Sequence, residues 1–171
     1  APFLGHGRED VDARMLGTVR PVLIEVDTPR VRSVDTEQLR QEVNDFADGK
    51  AEVEGLRLAT HGMVERVKEL PASKTYRMDV RFEEPVSAAA FEAALAALGG
   101  ATIEQDTPQR VSHRRAAKTR IREVYDASAE LGGEGESAGE AREATVEIHG
   151  EGGLYVKELV SSDEGRTQPS F

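Results

Sequence analysis

The segment 74–82 alternates strictly between two kinds of side chain, and this alternation limits the possible folds more than any other feature of the sequence. Tyr76, Met78 and Val80 fall on one face of the segment, and polar or charged residues fall on the other. Successive side chains of a β-strand point to opposite faces, so the pattern predicts a strand with one buried face. Such a strand needs neighbouring strands and a covering layer, and we therefore expect a sheet.

Two helices are predicted to cover this sheet. Asp35 stands at an N-cap position ahead of an amphipathic segment, and Ser87 opens an alanine-rich segment in which Phe91 and Leu98 share a stripe. The segment 63–70 fits either a short helix or a strand. Further strands are predicted at 20–26 (buried), 51–60 (with a bulge near Gly55), 118–127 and 144–148. The fold class is therefore α+β, with a largely antiparallel mixed sheet covered by helices.

The segment 127–143 has a different composition from its surroundings. It is rich in Gly, Glu, Ala and Ser and holds almost no large apolar side chain. Such a composition cannot bury enough apolar surface to offset its ordering entropy, and it predicts a flexible loop. At 171 residues the chain otherwise fits one domain of ordinary size, covering 1–171.

Composition also excludes several kinds of protein. No apolar run approaches the roughly 18 residues of a membrane span, and the N-terminus has no signal-peptide pattern, so we expect a soluble, cytoplasmic protein without membrane contact. The chain has no cysteine, so it can form neither a disulfide nor a thiolate metal site. Its four histidines show no ligand spacing, and we expect no metal.

The charge of the chain is distributed unevenly. Its formal net charge is −10, but the segment 110–122 carries six basic residues and no acid. Taking those six from the 22 basic residues leaves 16 against 32 acids elsewhere, or −16. A charge run is usually a solvated face, yet this acid-free window in an acidic chain predicts contact with phosphates. The acidic remainder favours salt adaptation over disorder, because the apolar periodicities are clean.

Four blocks of the sequence carry a resemblance to a known family. The segment 7–17 is a charge-dense turn in which Asp10 follows Arg8 in the pattern Gly-Arg-x-Asp. The other blocks, in order, are 72–77, 107–116 and 152–159 with Gly-Arg-Thr at 165–167. A single Gly-Arg-x-Asp is a weak signal, but four blocks in the same order are a strong one. Together they resemble the archaeal-type tRNA pseudouridine synthases that modify the adjacent uridines 54 and 55 of the TΨC loop.

The resemblance implies a fold, a reaction and a partner. It implies the pseudouridine synthase core fold and only the catalytic domain, because the family's cysteine-bearing N-terminal RNA-binding region and its final strand have no counterpart here. The implied reaction converts uridine to pseudouridine in tRNA. This isomerisation involves neither a redox change nor an energy donor, so no cofactor is expected. We expect the protein to act as a monomer.

Three catalytic residues follow from the matching motifs. Asp10 is the candidate nucleophile, with Asp12 as the rival carboxylate in the same motif. Lys157 matches the cation that keeps such a carboxylate ionised, and Tyr76 matches the aromatic residue that stacks on the target base and helps to remove the proton on carbon 5. Without the resemblance, Tyr76 is more often a core residue and Lys157 a solvated one.

We call the acid-free segment 110–122 the basic window. The predicted RNA contacts lie mainly in this window and in a thumb-like loop at 107–116. They are Arg8, Arg14, Arg110, His113, Arg114, Arg115 and Arg166. Two other functions remain open from sequence: a non-catalytic RNA-binding domain of the same fold, and an acidic interaction protein that binds no RNA. Affinity for tRNA distinguishes the latter, and product formation distinguishes the former.

Overall fold

The computed structural model describes residues 3–5, 13–17, 20–70, 72–134 and 139–171. It consists of two compact units, Ala1–Leu70 and Pro71–Phe171. Asp10, its rival Asp12 and Arg8 lie outside the described residues. No helix in the described ranges is long and apolar enough to cross a membrane.

The first unit pairs two short strands and adds two helices: β1 (Phe3–Gly5), β2 (Val22–Ile24), α1 (Thr36–Ala47) and α2 (Gly62–Glu69). The predicted cap of α1 is confirmed, because Oδ1 of Asp35 accepts the backbone N–H groups of Glu37 and Gln38, both at 3.0 Å. Hydrogen bonds from Arg40 and, to a lesser extent, from Gln41 hold the pKa of Glu37 below its usual value. Local sequence rules are sufficient to place the start of this helix.

The buried strand predicted at 20–26 is wrong in both extent and burial. β2 has three residues, and its Val22 and Ile24 are 38% and 63% exposed. Its pairing partner is β1, with Phe3 opposite Ile24. A pair of three-residue strands forms too small a sheet to bury its side chains. The β-branched run correctly indicated strand, but it could not indicate how many neighbours the strand would have.

The bulged strand predicted at 51–60 is also wrong, since this segment forms no regular structure. The side-chain amide of Asn44 accepts from the backbone N–H of Val53 at 2.8 Å and donates to its carbonyl at 3.1 Å. These are the two groups that a neighbouring strand would have used. The segment 63–70, left open from sequence, is helical as α2.

The second unit is built around a five-stranded antiparallel sheet in the order β3-β6-β5-β4-β7. Its elements are β3 (Ser73–Ser87), α3 (Ala88–Leu98), β4 (Thr102–Gln105), a 3₁₀ helix (Gln109–Arg114), β5 (Arg120–Glu134), β6 (Glu140–Glu151), α4 (Val156–Ser161) and β7 (Thr167–Gln168). The α+β class with an antiparallel sheet and helices is confirmed.

The alternating segment is the central part of β3, as predicted. Met78 and Val80 lie opposite Val146 and Ala144 of β6, both of which are buried. The helix predicted to begin after Ser87 is α3, and the Ser87 hydroxyl accepts the backbone N–H of Ala90 at 3.2 Å. The apolar face of the sheet and α3 together form the core of this unit.

Three phenylalanine rings close the core on the α3 side. The ring of Phe91 lies 5.6 Å from that of Phe82 in an edge-to-face arrangement and 5.6 Å from that of Phe171 in a stacked one. Both are favourable aromatic geometries. Residues from β3, α3 and the end of the described chain therefore share one apolar cluster.

The segment 127–143, predicted to be a flexible loop, is strand in most of its described residues. Residues 127–134 extend β5 and residues 140–143 begin β6, with Ala129 opposite Val146 and Glu134 opposite Ala141. Ala129 is small, but it packs against the core because Val146 and its neighbours on β6 supply the bulk. Composition reports the size of the side chains and not the backbone pairing that makes this hairpin.

Candidate functional site

Lys157 lies in α4, which is separated by two residues from the turn that follows β6. Ser73 at the start of β3 is paired with Glu151 at the end of β6, so the following turn at Gly152 lies beside the start of β3. A Cβ atom at Gly152 would be only 2.7 Å from the carbonyl oxygen of Ala72. A glycine is needed for this close approach, which brings the start of α4 to this end of the sheet.

Tyr76 lies at the same end of the sheet. It is half-buried in β3, opposite Ile148 of β6, and only three residues from Ser73. Three residues of strand span about 10 Å. Lys157, in the helix that follows β6, is exposed to solvent. The register of β3 and β6 thus brings two of the three predicted catalytic residues to one end of one sheet, although they are 81 positions apart in the sequence.

A buried glutamine holds the chain just ahead of α4. Gln105 is fully buried at the end of β4, and its side-chain amide accepts the backbone N–H of Tyr155 at 2.9 Å and donates to the Tyr155 carbonyl at 3.1 Å. The same amide nitrogen lies 3.3 Å from the hydroxyl of Thr167 in β7. Gln105 therefore links β4, β7 and the segment two residues before Lys157.

The loop that carries the first part of the basic window is organised by Thr107, which precedes the window. The Thr107 hydroxyl is bonded to the carbonyl of Ala116 at 2.9 Å, and it accepts from the backbone N–H of Lys118 at 3.1 Å and from Arg120 Nη1 at 3.1 Å. The threonine itself is buried. Since one buried side chain joins both ends of the loop, the arginines between those ends are presented from a defined backbone.

The 3₁₀ helix in this loop is joined to α4 by an ion pair. Arg110 Nε lies 2.5 Å from Oε1 of Glu158, and Arg110 Nη2 lies 3.3 Å from Oε2. The Glu158 side chain is 5% exposed, whereas that of Arg110 is 36% exposed. Arg110, predicted to contact RNA, is thus engaged with a buried carboxylate next to Lys157.

The other predicted RNA-binding residues have varied surroundings. His113 and Arg114 are exposed at the end of the 3₁₀ helix, and Arg115 Nη1 lies 3.5 Å from the hydroxyl of Tyr155. The guanidinium of Arg115 lies 6.0 Å from the centroid of the Tyr155 ring, and that of Arg120 lies 5.3 Å from it. Arg166 Nε lies 3.7 Å from Asp163 Oδ2. Arg14 is exposed in the first unit.

A comparison with protein-family models finds one match that covers residues 1–171, described as Pus10, C-terminal. The chain belongs to the Pus10 C-terminal family. This family membership confirms the resemblance carried by the four sequence blocks.

Curated relatives of this Pus10 C-terminal chain carry the name tRNA pseudouridine synthase Pus10. The archaeal protein of Halorubrum lacusprofundi is 61% identical over 171 residues, which are all of this chain and 38% of the relative. That of Methanothrix thermoacetophila is 47% identical over 169 residues, or 99% of this chain and 36% of the relative. That of Archaeoglobus fulgidus is 46% identical over 171 residues, all of this chain and 45% of the relative. The chain therefore spans less than half the length of these relatives.

Sequence reasoning missed two residues that organise the site of this Pus10 C-terminal chain. Gln105 lies two residues after Ile103 in β4, and both are fully buried, so the alternation of that strand held a signal for a buried amide. Glu158 gave no such signal, because one acid among 32 does not stand out by composition. Its importance depends on Arg110, which is 48 positions earlier.

Proposed function

We propose that this chain is the catalytic portion of a tRNA pseudouridine synthase that isomerises uridines of the TΨC loop. The observation that carries this proposal is the family match over the whole chain, together with relatives, one of them 61% identical, that bear the name tRNA pseudouridine synthase Pus10. The location of Tyr76 and Lys157 at one end of the sheet also supports it, because two residues from different motif blocks are brought to the same region of the fold.

In this proposal the reaction begins with the carboxylate of Asp10. Cleavage of the N-glycosidic bond requires a nucleophile on the ribose, or a negative charge that stabilises the developing positive charge. A carboxylate in a desolvated pocket remains ionised only if a cation lies close to it. We assign that role to Lys157, which a short helix carries at the end of the sheet near the start of β3.

Tyr76 is proposed to hold the flipped base and to exchange the proton on carbon 5. An aromatic face stacks on a uracil without reading sequence, and a phenol on that face can act as an acid or base. Its half-buried position suits this task, because a residue of the sheet that is partly accessible can still meet a base. The base must leave the RNA stack to reach such a position.

The basic window is proposed to contact the RNA backbone. His113 and Arg114 are exposed and lie on a loop whose two ends are joined through Thr107. Phosphate contacts of this kind hold a nucleic acid in place without reading its bases. They would offset the negative charge of the remaining chain, which disfavours binding of the RNA phosphates.

The proposal is tested by tritium release from tRNA labelled at carbon 5 of uridine. The assay uses the full-length protein at molar salt. Asp10→Asn is expected to abolish release while leaving the fold and the affinity for tRNA nearly intact. The matched control Asp12→Asn is expected to have a much smaller effect. Binding without any release by the unaltered protein would favour a non-catalytic RNA-binding domain, and equal losses in the two variants would refute the choice of Asp10.

A further inference from the structure

The ion pair of Arg110 with Glu158 is buried on the side of the carboxylate, since the Glu158 side chain is only 5% exposed. Both nitrogens on one edge of the guanidinium face the two oxygens of the carboxylate, at 2.5 and 3.3 Å. A two-point arrangement of this kind fixes direction as well as distance. Glu158 also follows Lys157 directly, so any movement of its backbone moves the proposed catalytic lysine.

Two further contacts join the 3₁₀ helix to the turn that follows α4. The backbone N–H of Gln109 donates to Asp163 Oδ2 at 3.1 Å, and the Gln109 side chain donates to Glu164 Oε2 at 2.8 Å. Val111, one residue beyond Arg110, is 2% exposed. The 3₁₀ helix is therefore joined to α4 itself through Glu158 and to the turn after α4 through Asp163 and Glu164.

α4 depends on such contacts for its orientation. It has six residues, far fewer than the roughly 12 to 15 that an isolated helix needs for marginal stability in water. Tyr155 occupies the N-cap position of α4, and its side chain forms no capping hydrogen bond with the first turn. Its N-terminal end is held by Gln105 through the backbone of Tyr155, and its middle is held by Arg110 through Glu158.

We propose that Glu158 and Arg110 are positioning residues for Lys157, and that their ion pair sets the lysine and the RNA-binding loop in one fixed arrangement. In this role Arg110 differs from Arg114, which is only one turn away, because its guanidinium is directed to α4 rather than to phosphate. The inference rests on the proposed function, since it assigns the pair to the service of the reaction at Lys157.

The first test compares Arg110→Gln with the matched variant Arg114→Gln. Both changes are made in the full-length protein, and tRNA is the ligand. Arg114→Gln should make the negative slope of log affinity against log salt shallower by roughly 0.7 to 0.9, as expected for one lost phosphate contact. Arg110→Gln should leave that slope unchanged and lower the single-turnover rate at saturating tRNA at least tenfold. The reverse result, a shallower slope with a wild-type rate for Arg110→Gln, would overturn the proposal.

Glu158→Gln should show the same loss of rate as Arg110→Gln, and the double variant should lose no more than either single one, because both changes break the same pair. Additive losses in the double variant would overturn the proposal. If the glutamine variants fail to fold, Arg110→Lys keeps the charge but loses the two-point geometry. A wild-type rate for folded Arg110→Lys would then be the refuting result.

Hydrogen exchange separates this inference from the proposed function. The amides of α4 should exchange at least tenfold faster in Arg110→Lys than in the unaltered protein, whereas the amides of β6 should keep their protection. This measurement needs no turnover. Protein without any tritium release would refute the proposed function, and unchanged exchange in α4 would refute the positioning role of the pair.

Discussion

The side-chain amide of Gln105 forms hydrogen bonds with both the backbone N–H and the backbone carbonyl of Tyr155. These two bonds replace a strand partner for the residue just ahead of α4, and they come from a side chain that is fully buried. The stability of the second unit and the placement of Lys157 therefore depend on a residue that is not part of any of the four motif blocks.

Gln105→Leu is expected to destabilise the protein by about 2 to 3 kcal/mol, because two backbone polar groups lose their partner while the site stays buried. The free energy of unfolding from denaturant titration measures this effect. Gln38→Leu, at an exposed glutamine of α1, is the matched control and should change stability by less than about 0.5 kcal/mol. Equal effects of the two changes would show that the Gln105 bonds are unimportant for stability.

Gly150→Ala should destabilise the protein by about 1 to 3 kcal/mol through overpacking. A Cβ atom at Gly150 would be 2.5 Å from Cδ1 of Leu154 and 2.8 Å from the backbone carbonyl oxygen of Glu123. Leu154 can shift, but the neighbouring strand cannot do so easily. Gly132→Ala is the control, since nothing lies within 4 Å of its Cβ position. Thermal unfolding of both variants provides the comparison, and similar melting temperatures would contradict this account of Gly150.

Tyr76→Phe is expected to lower turnover by roughly a hundredfold or more, if the phenol exchanges a proton in the reaction. Affinity for tRNA should change little, because the aromatic ring remains. The measurements are single-turnover tritium release and equilibrium binding at the same salt concentration. A wild-type rate would return Tyr76 to a purely structural role in β3.

Replacement of both Arg114 and Arg115 by alanine should weaken tRNA binding without unfolding the protein. Each lost phosphate contact should reduce the slope of log affinity against log salt by roughly 0.7 to 0.9, whichever tRNA is used. Several salt concentrations are required, because counterions already compete at high salt. If neither the affinity nor the slope changes, the basic window is an ordinary solvated face.

Asp35→Ala should cost about 1 kcal/mol of stability in the first unit, because two backbone N–H groups at the start of α1 lose their acceptor. Amide exchange at the start of α1 reports this loss directly. Asp45→Ala removes an exposed carboxylate near the end of the same helix, where negative charge is unfavourable, and should be neutral or slightly stabilising. Faster exchange in the Asp45 variant alone would contradict this assignment of the cap.

Much of the fold was predictable from local pattern. The alternation of 74–82 correctly predicted β3, and the caps at Asp35 and Ser87 correctly predicted the starts of α1 and α3. These predictions succeed because a strand or helix start depends on residues within a few positions of each other. The motif blocks likewise identified the family, but the role of Asp10 stays a prediction.

Pairing between distant segments was decided only by the tertiary structure. The apolar run at 20–26 could not reveal that β2 would have one short partner, and the small residues of 127–134 could not reveal that β6 would pair with them. Glu158 is a further example, since the partner of its buried carboxylate is Arg110, 48 positions away. Sequence periodicity records which face of an element is apolar, whereas the partner that satisfies a buried charge is fixed by how the chain packs around the sheet.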